Sequence, residues 1–310
     1  MAVISLASLK GGVGKTSVSL NLAAAFSKLG YRTLLIDLDP TSHSSRFFIK
    51  DENIVSPFAK LLLANQDILE NKEQIESLVE LAIEQEVSLL RKVRDNLWLI
   101  PSSNDLRHFY WGRSARIFRN YFPTLVSELY SDYDYVVVDT PPDFNILTRN
   151  AIALSNLVII PVDASLMSIH CLEDLIDQAG HIEKPAWSIV KTMVNRQAKK
   201  IGKLSEQRLG DNSLIQEDLI TASSESKVEG SEDTSEEDPI YLFNSKIFRS
   251  EVQNKLSFQG KTVFESKENK FLAPCYLNLA KEVEQLITHI ESPNEHEFSA
   301  ELFGSSSALC

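Results

Sequence analysis

Apolar residues fall along this chain in two rhythms. Short unbroken runs, each closed by a carboxylate, a proline or a turn residue, alternate with stretches whose apolar positions recur every three or four residues. The runs predict buried strands at Val3–Leu6, Arg32–Ile36, Asn96–Ile100, Tyr135–Val138, Leu157–Val162 and Ser188–Val194. Asp37 and Asp139 close two of them, and Pro101 stops a third. Helical spacing predicts Thr16–Leu29, with Val18, Leu22, Ala23 and Phe26 on one face and Gly30 at the capping position. A final helix is predicted over Pro274–Glu291, carrying Leu277, Ala280, Val283, Ile287 and Ile290. Between Val55 and Val93 the same spacing (Leu61, Leu62, Ile68, Leu69, Ile75, Leu78, Val79, Leu81, Ala82) predicts a pair of surface helices.

Strands that are apolar on both faces and alternate with helices imply an α/β fold: a mostly parallel sheet with helices on both faces. The length, 310 residues, and a hydrophobic share of 43% fit one large globular domain, expected over 1–292. Within it, residues 199–239 change character. Serines are frequent, and in its second half carboxylates accumulate (Glu217, Asp218, Glu225, Glu229, Glu232, Asp233, Glu236, Glu237, Asp238) with Lys227 the one base among them. This reads as a disordered acidic insertion, with regular structure resuming near Ile240 and a flexible tail over 293–310.

Charge narrows the function. Lys plus Arg number 31 against 43 Asp plus Glu, a net charge of -12, so any nucleic-acid contact needs a local basic patch on an acidic background. Three cysteines, Cys171, Cys275 and Cys310, have no metal-ligand spacing and read as free thiols. The apolar start Met1–Leu9 lacks a basic leader, and no run reaches the roughly 18 apolar residues of a membrane span, so the expected location is the cytoplasm.

The chemistry concentrates in Lys10-Gly11-Gly12-Val13-Gly14-Lys15-Thr16-Ser17, between a predicted strand and a predicted helix. Glycines let backbone N–H groups close around phosphates, and a helix start adds its positive dipole end. Lys15 is placed to meet the β- and γ-phosphates of ATP, and the Thr16 hydroxyl to ligate Mg²⁺. An ordinary P-loop begins with glycine where this chain has Leu9; instead Lys10 stands beside the glycine pair.

This segment resembles the deviant Walker A motif, KGGxGK[ST], of the ParA/MinD superfamily. The resemblance implies a P-loop NTPase in which the first lysine, here Lys10, reaches nucleotide bound by a partner subunit, so that a homodimer sandwiches ATP. Leu35-Ile36-Asp37-Leu38-Asp39-Pro40 resembles the family's second motif, and the match gives Asp39 the task of positioning the attacking water. Val136-Val137-Val138-Asp139-Thr140-Pro141-Pro142 resembles the Walker B strand, whose aspartate holds Mg²⁺ through water. Val194-Asn195-Arg196 resembles the strand end whose Asn reads adenine. Gly260-Lys261-Thr262-Val263-Phe264-Glu265 resembles a stretch of the ParA branch, although Ile247-Phe248-Arg249 stands where relatives carry IPR.

The implied function is ATP-switched partitioning or cargo positioning, with slow hydrolysis stimulated by a ParB-like activator. Non-specific DNA is a further implied partner. Lys246, Arg249, Lys255, Lys261, Lys267 and Lys270 offer bases for it, or simply a solvated face. A MinD-like membrane-cycling switch is the alternative. It needs a basic amphipathic tail, whereas Glu295–Cys310 carries Phe298, Leu302 and Phe303 among acidic charges, so a membrane partner is not expected. A nitrogenase-type reductase, a tyrosine kinase and a dethiobiotin-type ligase fit less well, for want of cluster cysteines, of a C-terminal tyrosine cluster and of any need for Lys10.

Overall fold

A computed structural model describes residues 1–51, 53–65, 80, 90–182, 185–195, 240–266 and 271–291. The acidic insertion, the tail, most of the predicted helix pair, Arg196, Lys267 and Lys270 lie outside the described residues. Among the described residues eight strands run β1 (Ala2–Leu6), β2 (Thr33–Asp37), β3 (Arg91–Arg94), β4 (Leu97–Ile100), β5 (Tyr135–Asp139), β6 (Leu157–Val162), β7 (Ala186–Val194) and β8 (Ile240–Phe248). They form one sheet in the order β3-β4-β2-β5-β1-β6-β7-β8, and every pairing is parallel except β3 with β4.

The described α-helices are α1 (Lys15–Lys28), α2 (His43–Phe48), α3 (Pro57–Ala64), α4 (Gly112–Leu129), α5 (Ile146–Leu154), α6 (Leu166–Ala179), α7 (Glu251–Phe258) and α8 (Leu272–Glu291). Side chains on a strand alternate between faces, and the core divides accordingly. Ile4, Leu6, Leu35, Val137, Leu157 and Ile159 point to the layer of α1 and α8. Val3, Leu34, Ile36, Val136 and Val138 point to α3, α4 and α5, while Val158 and Ile160 meet α6. Both faces are thus covered, as the unbroken apolar strands require. α1 is apolar nearly all round (Val18, Leu20, Leu22, Ala23, Ala24, Ala25 and Phe26 are buried) because it lies between the sheet and α8.

Two segments depart from the sequence expectation. The helical reading that extended to Val93 ends in a strand: β3 doubles back on β4 through Asp95 and Asn96, and Asn96 takes a left-handed φ of 52°. With three bases in four residues, β3 is a charged sheet edge, which discourages pairing with another chain and carries no apolar period to read. The segment resuming at Ile240 is a nine-residue strand, β8, parallel to β7 with two register shifts. Asn244, Ser245 and Lys246 interrupt its apolar residues, so no unbroken run marked it as a strand.

Candidate functional site

β1 ends at Leu6, and the chain turns through Ala7–Gly14 into α1 at the carboxyl edge of the sheet, where α/β folds place their ligands. Gly12 (φ 79°) and Gly14 (φ 95°) are left-handed, a conformation that a side chain resists. A Cβ at Gly11 or Gly12 would meet nothing within 4 Å, so the loop backbone is open to an approaching group. Gly14 caps α1 with no side-chain hydrogen bond, and the first turn holds no acidic residue. The amides of Lys15, Thr16 and Ser17 therefore keep their donors and the helix dipole for an anion.

Lys15 is buried. Its ammonium donates to the carbonyls of Ser8 (3.1 Å) and Lys10 (3.3 Å). Burial lowers its pKa, and Asp139, Asp39 and Asp143 act in the opposite sense, so three carboxylates share its field. Asp139 ends β5 directly beside Asp37 at the end of β2. The hydroxyl of Ser44 donates to one Asp139 oxygen (2.6 Å) and that of Ser19 to the other (3.0 Å), and Thr16 also donates to this carboxylate. Asp37 accepts from the amide (2.8 Å) and hydroxyl (2.6 Å) of Ser45 and from the amide of Asp39 (3.0 Å). Burial raises the pKa of both aspartates, and for Asp37 the charge on Asp139 adds to it. Hard oxygen donors at the end of a strand suit a divalent cation held with phosphates and water rather than an all-protein cage. Among the described residues no cluster of three or more His, Cys, Asp or Glu side chains forms such a cage.

Asp39 starts the turn into α2. Its Oδ1 accepts from the Thr41 amide (2.8 Å), and its carbonyl accepts from the Ser102 hydroxyl (2.6 Å). Ser42, at φ 61°, completes that turn in a left-handed conformation that a serine adopts only when its surroundings hold it. Lys10 points the other way, toward the rim. Its ammonium contacts Asp163 (2.6 Å), Ser165 (2.7 Å) and Ser168 (3.2 Å), just beyond β6 and at the start of α6. Partial burial opposes the charge on Asp163. The bonds from Lys10, Ser165 and Ser168 outweigh it and hold this carboxyl at about 2.

A cavity of ≈ 350 Å³ opens beside the loop. Val18, Met193, Ile247 and Phe248 give it apolar walls; Gln253 and Asn254 of α7 give it amides. Asn195 is exposed just past β7, while Thr192 and Met193 before it line the cavity. Lys15, Thr16, Asp39 and Asp139 are thus brought together, and Lys10 sits at the rim of the same loop. Sequence reasoning missed Asp163 with its serines, Ser44 with Ser45, Asp143, and the α7 amides. Asp163 could have been found, since it follows an apolar run as Asp37 and Asp139 do. The serines of α2 carried no such signal.

A protein-family model described as AAA domain matches residues 1–192. The chain is 29% identical over 206 residues to the chromosome partitioning protein ParA of Myxococcus xanthus, a match spanning 63% of this chain and 66% of that one. An ATP complex of Cyanothece McdA shares the fold at a TM-score of 0.63 and 18% identity, covering 93% of this chain and 96% of that chain. A plasmid partition protein of Borrelia burgdorferi bound to AMPPNP does so at a TM-score of 0.60 and 21% identity, covering 92% and 99%. The chain belongs to the AAA domain family and, within it, to the ParA-like branch of the ParA/MinD superfamily of P-loop NTPases.

Proposed function

We propose that this protein is a ParA-like ATPase that dimerises on ATP and acts in plasmid or chromosome partitioning or in cargo positioning. The observation that carries the reading is the convergence of Lys15, Thr16, Asp39 and Asp139 on the uncapped start of α1. Loop amides and Lys15 bind the phosphates. Thr16 and Asp139 are the residues that would hold Mg²⁺, which when bound neutralises phosphate charge. Asp39 orients water; the Ser102 hydroxyl on its carbonyl and the Thr41 amide on its carboxylate fix where that carboxylate stands. The cavity between β7, β8 and α7 takes the adenine, with Gln253 and Asn254 as its polar contacts, and Asn195 follows the cavity-lining end of β7. Lys10 serves the nucleotide of a second subunit. Turnover by one subunit is slow, because phosphoryl transfer typically gains about 10³–10⁵ from a positioned arginine, and a ParB-like partner supplies the acceleration.

Asp39→Ala tests the reading. The variant should bind ATP as wild type does while releasing ADP at least about a hundredfold more slowly. Hydrolysis at the wild-type rate would remove Asp39 from the mechanism, and a wild-type protein that neither binds nor cleaves ATP would end the proposal.

A further inference from the structure

We propose that the outer face of α4, with the turn before it, binds a single strand of nucleic acid: arginines meet its phosphates and Trp111 stacks on a base. The chain is acidic, at net charge -12, yet from Leu106 to Ser127 it contains no carboxylate. That stretch holds Arg107, Arg113, Arg116 and Arg119, all exposed. The three arginines of α4 stand three residues apart, so each advances about 4.5 Å along the axis and about 60° round it, and all three stay within one sector of the helix. An ordinary solvated helix face mixes both signs; this one carries a single sign.

The opposite side of α4 explains why the outer face is fixed in place. Phe118 stacks on Phe122 at 4.7 Å and meets Phe109 at 5.2 Å, so the inner face is locked into the core. Arg116 and Arg119 make no ion pair with any described residue. Trp111 begins the helix and is 83% exposed, a large aromatic surface that folding leaves in water. Arginines alone would suit any polyanion. An aromatic face beside them selects one whose flat bases are unpaired, because stacking on a base needs a free π-face. The carboxylates of an acidic peptide gain nothing from such a face. The patch is separate from the lysines that follow Lys246, and it borders the nucleotide end of the sheet: the preceding turn begins at Ser102 and Ser103, next to Asp39 and Ser56. The inference does not depend on ATP hydrolysis.

The test is fluorescence anisotropy of a labelled oligodeoxythymidine with the full chain at low salt, without nucleotide, alongside quenching of the tryptophan emission. Wild type should bind and be quenched. A double variant, Arg116→Gln with Arg119→Gln, should bind roughly tenfold more weakly, and its salt slope should fall by about 1.4. Trp111→Ala should weaken binding by roughly tenfold and remove most of the quenching. Lys255→Gln with Lys261→Gln should change nothing. Both exposed sets leave the core untouched, and an unchanged melting midpoint verifies this. The proposal is overturned if the double variant binds as wild type does or if the lysine pair carries the binding. It is equally overturned if a matched duplex competes as well as the single strand, or if polyglutamate binds where the oligonucleotide does not.

Discussion

Lys15 and Lys10 are five residues apart and face opposite demands. Lys15 is buried against Ser8, with Asp139, Asp39 and Asp143 sustaining its charge. Its removal takes away a charge-assisted contact to phosphate worth about 1.5–3 kcal/mol, so Lys15→Ala should weaken ATP binding about 10- to 100-fold by titration calorimetry. Lys10 is held by Asp163, Ser165 and Ser168, and in the proposed dimer it would have to leave that cradle to reach the second nucleotide. Lys10→Ala should still bind ATP but fail to dimerise on it. Asp163→Asn loosens the cradle and should lower the ATP concentration at which dimers form by a few-fold, read by light scattering. A weaker dimer in that variant would make Asp163 a group that positions Lys10 rather than one that restrains it. At this scale the loop and the strand-end carboxylates were legible because glycine spacing and apolar runs announce them. Ser44 and Ser45 were not, because a hydroxyl becomes a partner of Asp139 or Asp37 only once α2 folds against the ends of β2 and β5.

Elements were legible where one period persists. β1, β2, β5 and β6 are apolar on both faces, and their runs fall within a residue of the observed strands. β3 escaped because a charged edge shows no apolar period, and β8 because Asn244, Ser245 and Lys246 interrupt its apolar run. α4 carries a helical period, Ile117, Phe118, Tyr121, Phe122, Leu125 and Val126, and only Pro123 within it argues against a helix, so it was legible and was passed over. Contacts between elements cannot be read from either period, and Gly260 shows what they demand. It ends the α7 turn at φ 66°, and a Cβ there would stand 2.5 Å from the Phe47 carbonyl of α2. That close approach joins the α7 end of the cavity to the helix bearing Ser44 and Ser45. Gly260→Ala combines a left-handed penalty with a backbone clash, about 2–3 kcal/mol together. The melting midpoint should drop by roughly 4–10 °C, with the loss of nucleotide affinity smaller than that of Lys15→Ala. An unchanged midpoint would mean that α2 and α7 separate at no cost.

Over the whole molecule the carboxylates fall into two groups that pull acid stability in opposite directions. Glu282 is raised, because burial outweighs the bonds it accepts from Ser245 and Asn244 of β8, and burial likewise raises Asp37. Such groups keep a proton in the folded state that the unfolded chain has released, so stability falls as pH rises from their ordinary values through the raised ones. Net charge acts in the same sense: at -12 the chain repels itself, and the repulsion fades toward the isoelectric point near 5.1. Asp163 and Glu265 belong to the other group. For Asp163 partial burial is overcome by Lys10 and two serines; for Glu265 it is overcome by Thr262 and Arg94. Their stabilisation is complete above the unfolded values of 3.8 and 4.5 and is lost as pH falls below them, for Asp163 down to about 2. The two trends meet in mild acid. The denaturant midpoint of the protein without nucleotide should therefore rise from pH 8 to about pH 5 and fall below about pH 4. Asp163→Asn should flatten the acid limb by about 1–2 kcal/mol, a figure reduced for solvent screening of a partly exposed pair. A midpoint highest at pH 8, or an acid limb identical in the variant, would show that these buried and paired carboxylates do not govern how the fold responds to acid.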